Sequence, residues 1–126
     1  MRKIIGAALI VAAMAAAVSA EAADTALKPP KAYVIGEVNV TDAQTYKTYA
    51  AKTSPIVAKF GGIYIARGGQ TVPVEGAGPA GRVVVIEFPS LAAAKAFEAS
   101  AEYLKVAPIR QRSSTGRFFI VEGTAP

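Results

Sequence analysis

The chain has 126 residues, 52% of them apolar, with 14 basic and 9 acidic side chains, no cysteine and no histidine. That content supports a single domain whose core holds without disulfides. The lack of His and Cys rules out a Ser-His or Cys-His nucleophile pair, a histidine haem ligand and an ordinary zinc site, leaving chemistry to Glu, Asp, Arg, Lys, Tyr and Ser.

Residues Met1 to Ala20 have the layout of a secretory signal. Arg2 and Lys3 come first, then an apolar stretch from Ile4 to Val18, then the small residues of Val18-Ser19-Ala20. The stretch falls short of the roughly 20 apolar residues that comfortably span a bilayer. Residues 1–20 are therefore expected to be cleaved on export, leaving a periplasmic or secreted protein with no membrane attachment. Without Arg2 and Lys3 the 14 basic residues fall to 12 against 9 acidic, a net charge of +3. The cations are scattered as Lys47, Lys52, Lys59, Lys95 and Lys105, the pattern of solvated helix faces, so nucleic acid is not an expected partner.

Residues 21–31, with Pro29-Pro30, show no apolar period and read as a flexible lead-in to a domain over 32–123. Ala32 to Val40 alternates: Tyr33, Ile35, Glu37 and Asn39 share one face of a first strand, and Ala32, Val34, Gly36, Val38 and Val40 the other. Thr41-Asp42-Ala43-Gln44 has the form of a capping box, and Tyr46, Tyr49, Thr53, Val57 and Phe60 recur at helical spacing. Pro55 is expected to bend or interrupt this helix and Gly61-Gly62 to end it. Ile63 to Arg67 is a short second strand.

Gly68 to Gly81 is a glycine-rich connection with room for a brief edge strand around Thr71 to Glu75. Its Gly76-Ala77-Gly78-Pro79-Ala80-Gly81 matches G-x-G-x-x-G in form only, since a dinucleotide site needs a strand before it and a helix after it. Arg82 to Phe88 is a third strand, apolar on both faces through Val83-Val84-Val85-Ile86. Ser90 caps a second helix with Leu91, Ala94 and Phe97 inward, and Ser100 restarts a helical turn through Ala107 that Pro108 is expected to stop. Arg117 to Glu122 forms strand four.

This order is the α+β, ferredoxin-like βαββαβ plan, a four-stranded antiparallel sheet with its helices on one face. The other face would expose Val, Ile and Phe beyond the few hundred Å² that monomers usually tolerate. Burying each such side chain contributes roughly 1.5 to 3 kcal/mol, so a homodimer paired sheet to sheet is expected.

Ala32-Tyr33, Asp42, Tyr46, Tyr49, Gly61-Gly62, Arg67-Gly68-Gly69, Glu75-Gly76, Glu87-Phe88-Pro89-Ser90, Ser100, Glu102-Tyr103, Arg110 and Glu122-Gly123 follow one another as an ordered set. That set resembles the domain of unknown function family 1330 over about Lys31 to Gly123. The resemblance implies a dimeric α/β-barrel, in a superfamily that also holds cofactor-free monooxygenases, muconolactone isomerase-like proteins and haem-binding dismutases. It brings no established activity. The chain departs from the family pattern where an aromatic pair and a Ser-Pro-Glu-Tyr turn often stand: here these are Phe97-Glu98 and Ser100-Ala101-Glu102-Tyr103.

Strands one and two run one way and three and four the other, which sorts the polar residues. Glu37, Asn39, Arg67, Arg82, Arg110 and Arg112 gather at one end, with Tyr33, Glu87 and Glu122 at the other. Regular alternation puts Glu37 and Arg67 together between two sheets, where they would orient a small polar ligand or form a structural ion pair. Glu87, flanked by apolar residues, is a candidate general base or an ion-pair partner, with Glu37 the second catalytic candidate. Tyr33 and Tyr103 are candidate pocket residues, Tyr46 and Tyr49 read as core, and Arg110 with Arg112 is a candidate anion clamp. The expected function is binding of a small organic molecule through Tyr33, Glu37, Arg67, Tyr103 and Arg110, with no cofactor or metal. The alternatives are a cofactor-independent oxygenase or isomerase, or a structural dimer without a ligand.

Overall fold

A computed structural model describes residues 28–126; the expected signal segment, residues 1–20, and most of the lead-in lie outside the described residues. Residues 30–125 form one unit. In chain order it runs β1 (Ala32–Val40), α1 (Ala43–Lys59), β2 (Ile63–Arg67), β3 (Arg82–Phe88), α2 (Leu91–Ala99), α3 (Ala101–Ser113) and β4 (Ser114–Glu122). The four strands make one sheet in the order β2-β3-β1-β4, and every neighbouring pair is antiparallel. No helix among the described residues is long and apolar enough to cross a membrane.

The period-2 pattern of β1 sets the layers. Ala32, Val34 and Val38 are buried toward the helices, joined by Val84, Ile86 and Phe88 of β3. The helices return Tyr46, Tyr49 and Val57, then Ala94 and Phe97, then Tyr103, Val106 and Ala107 to the same core. Phe97 is its aromatic centre, with ring centroids 5.3 Å from Phe88 and 4.6 Å from Tyr103. On the opposite face lie Tyr33 and Ile35 of β1, Val83 and Val85 of β3, and the more open Ile63 (61% exposed), Ile65 (53%), Phe119 (43%) and Val121 (43%). The described chain covers this apolar face with no element of its own.

Local chemistry explains most boundaries. Asp42, rather than Thr41, is the N-cap of α1: its carboxylate accepts the Thr45 N–H at 3.2 Å and the Thr45 hydroxyl at 2.7 Å. At the other end Gly61, with φ of 81°, donates its N–H to the Ala58 carbonyl while Gly62 donates to Val57, a Schellman closure. Ser100 closes α2 and opens α3, donating its hydroxyl to the Phe97 carbonyl at 2.8 Å and accepting the Tyr103 N–H at 3.1 Å.

Two prolines depart from expectation for one reason. Pro55 lies inside α1, and Pro108 does not stop α3, which continues to Ser113 and hands directly to β4 at Ser114. The carbonyls that lose a partner belong to Ala51 and Leu104, both exposed residues four before exposed prolines, on turns open to solvent. Thr71 to Glu75 forms no strand, and its Val72 and Val74 are exposed.

Candidate functional site

The site is made by one extra residue in β2. Tyr64 stands opposite Ile86 and Ala66 opposite Val85, leaving Ile65 as a bulge. A bulge reverses which side the following residues take. Arg67 therefore stands opposite Val84, a helix-facing residue, and points away from Glu37. The expected Glu37 and Arg67 pair does not exist.

Arg67 instead reaches α1. Its Nη2 donates to the Ser54 hydroxyl at 2.9 Å and more loosely to the Ala50 carbonyl at 3.4 Å, and its guanidinium stacks 4.0 Å above the Tyr64 ring. Arg82 enters from the start of β3 and lies 5.4 Å from the Tyr46 ring centroid. It packs so closely on Gly68, with φ of 74°, that any Cβ there would meet its Nε at 2.9 Å. Arg110, in the last turn of α3, lies 4.2 Å from the Phe118 ring and 5.9 Å from that of Tyr49. Phe118 rests on Gly36, its neighbour across β1 and β4.

Together Tyr46, Tyr49, Tyr64, Arg67, Arg82 and Phe118 line a cleft between α1 and the sheet with a free volume of about 30 Å³. That is room for about two water-sized groups. Two larger depressions are shallower: about 320 Å³ beside Glu98 and Phe119, and about 400 Å³ between Glu37, Arg117 and the glycine-rich connection. The α1 cleft is the one where aromatic rings and guanidiniums converge.

Its electrostatics are one-sided. Burial lifts the phenols of Tyr46, Tyr49 and Tyr64 above the usual tyrosine value, so they stay neutral and able to donate. At Tyr46 the fields of Arg82, Arg110 and Arg67 oppose that rise without cancelling it. Tyr49 and Tyr103 share a hydroxyl–hydroxyl bond of 2.9 Å. Burial works against the Arg110 charge, but the Tyr103 and Tyr49 hydroxyls beside it outweigh that and raise its pKa. The ion pairs among the described residues are Lys31 with Glu87, Lys59 with Glu102 and Arg117 with Glu37; none uses Arg67, Arg82 or Arg110. The buried Nε atoms of Arg82 and Arg110 have no acceptor among the described residues.

The residues singled out from sequence thus divide. Arg67 lines the cleft, and Arg110 and Tyr103 stand behind it on Phe118 and Tyr49. Glu37 is on the open sheet face, paired with Arg117 across β1 and β4. Tyr33 and Glu87 share that face and are register partners, with Glu87 held by Lys31 at 2.9 Å. Tyr46 and Tyr49 are buried as expected of core residues, yet they also line the cleft. Tyr64, Arg82 and Phe118 carried no sequence signal as site residues beyond the placing of Arg82 at this end of the sheet.

Residues 31–124 match the model of a domain of unknown function, DUF1330. The chain belongs to the DUF1330 family. No curated protein matches this DUF1330 chain in sequence. Among solved structures it is similar to the RPA0582 protein of unknown function from Rhodopseudomonas palustris, with a TM-score of 0.62 and 18% identity over 77% of this chain and 85% of that one. It is also similar to SnoaB, a cofactor-independent oxygenase from Streptomyces nogalater, with a TM-score of 0.55 and 16% identity over 75% of this chain and 94% of that one. At these identities the likeness is one of fold, the ferredoxin-like α+β plan that the DUF1330 chain shares with both.

Proposed function

We propose that this DUF1330 protein is exported and acts as a homodimer that binds a small organic molecule in the cleft between α1 and the sheet. The observation that carries the reading is the convergence of two guanidiniums and three phenols on one small free volume. Apolar rings set the shape of the ligand, and the convergent donors fix its orientation. The exposed Ile63, Ile65, Phe119 and Val121 support assembly through the opposite face, so dimer formation leaves the cleft open. Export rests on the layout of residues 1–20.

Native mass spectrometry of the freshly purified protein tests both parts. A dimer carrying a co-purified small molecule is the expected result; a strict monomer removes the assembly argument. Cell fractionation with a mass measurement of the mature chain tests export, and an uncleaved cytoplasmic product would sink it.

A second reading, a cofactor-independent oxygenase, has the fold likeness to SnoaB behind it. The chemistry of the cleft favours binding over it. No carboxylate lines the cleft, and Glu37 and Glu87 lie on the other face. A base there would be a phenol, which burial makes harder to ionise. Oxygen uptake with a bound enolisable aromatic compound would bring the enzyme reading back.

A further inference from the structure

The α1 cleft is lined by two guanidiniums and no carboxylate. The guanidiniums offer only N–H donors and the neutral phenols can donate as well as accept, while the Ser54 hydroxyl and the Ala50 carbonyl already serve Arg67. Arg67, Arg82 and Arg110 have no carboxylate within ion-pair distance among the described residues. The Nε–H groups of Arg82 and Arg110 are buried without a partner there. A buried donor without an acceptor is an uncompensated cost, and its usual explanation is a bound water or ion.

We propose that the cleft is a carboxylate site for a small organic acid: the acid's head group fills the cleft, held by Arg82 with Arg67 beside it, and its flat remainder, too large for that volume, extends out of the cleft past the half-buried rings of Tyr64 and Phe118. This rests on the reading of the cleft as a ligand site and names the ligand's class. The free volume of about 30 Å³ suits a head group of two oxygens rather than a whole drug-sized molecule. A planar carboxylate matches the fork of a guanidinium, and the aromatic lining suits an organic remainder better than an inorganic ion. Arg110 stands behind the cleft, against Phe118 and Tyr49, so Arg82 and Arg67 are the anchors.

The test follows the side-chain Nε–H signals of Arg67 and Arg82, the two guanidiniums that line the cleft, by NMR in the purified protein. The titrants are benzoate, its neutral isostere benzamide, and inorganic phosphate. Benzoate is expected to move both signals to saturation, with benzamide weaker by about tenfold or more. Arg82→Gln is expected to weaken benzoate by a similar factor at an unchanged melting temperature; should that variant fold poorly, the wild-type comparison of benzoate with benzamide still decides. Equal affinity for benzoate and benzamide overturns the carboxylate assignment and leaves the cleft reading standing. Tighter binding of phosphate overturns it in favour of an inorganic oxyanion. Benzoate saturating without moving these signals overturns it as well. If no titrant binds and native mass spectra show no co-purified molecule, the assignment and the cleft reading fall together.

Discussion

At the scale of single residues, Gly36 decides whether the cleft has a floor. It lies in the middle of β1, where glycine is a poor strand former, and its lack of a side chain lets Phe118 lie flat against the backbone. A Cβ there would meet the ring, with Cδ1 at 2.8 Å. Gly36→Ala is therefore expected to push Phe118 into the cleft, to cost about 1 to 3 kcal/mol in chemical denaturation and to abolish ligand binding. Combining it with Phe118→Leu should recover part of the stability, giving a clear coupling in a double-mutant cycle.

Glu98 makes a different kind of prediction. Burial raises its carboxyl above the ordinary value, with Arg110 only partly opposing. The folded state then holds this proton more tightly than the unfolded one. Its contribution is fully present below the ordinary carboxylate range and is lost as pH rises through the folded pKa. At neutral pH the charged side chain is a net cost, so Glu98→Gln should raise the melting temperature at pH 7 and leave it nearly unchanged at pH 4.

At the scale of elements, β2 shows where the sequence stops being informative. Ile63-Tyr64-Ile65-Ala66-Arg67 reads as clean alternation, and nothing in those residue types signals that Ile65 is an extra one. The bulge exists because register is settled by pairing with β3, a tertiary matter. One consequence can be checked: a chain lacking Ile65 has regular pairing from Tyr64 to Arg67 and still places Arg67 opposite Val84. Deleting Ile65 should leave ligand binding dependent on Arg67, as judged by the loss of binding in the same background carrying Arg67→Gln.

The alternation of β1 was legible because its two faces differ in chemistry, and the Gly61-Gly62 stop because left-handed backbone favours glycine. Pro108 misled because its cost depends on whether the Leu104 carbonyl faces water, which sequence does not state. Arg82 and Phe118 were missed for a related reason. The first looks like an ordinary strand-end charge and the second like core, and only the meeting of α1, β3 and β4 makes them neighbours.

At the scale of the whole molecule, the sheet serves two tasks on two faces. The helix side carries the core and the cleft; the other carries a broad apolar surface whose charges are paired within the chain, Glu37 with Arg117 and Glu87 with Lys31. Phe119→Glu would place a carboxylate on that surface without touching the helix-side core. It should yield a folded monomer in analytical ultracentrifugation, with a circular dichroism spectrum like that of the wild type. A variant that remains dimeric would mean that assembly uses another surface.

The strict pleat of β1, β3 and β4 has a consequence for genetics. In all three strands the odd-numbered residues face outward and the even-numbered ones face the helices, as with Tyr33, Val83 and Phe119 against Val34, Val84 and Phe118. A saturation-mutagenesis map scored separately for self-association and for ligand retention should split by parity along these strands. It should invert at a single point, past the bulge in β2, where Arg67 is odd in number and even in behaviour.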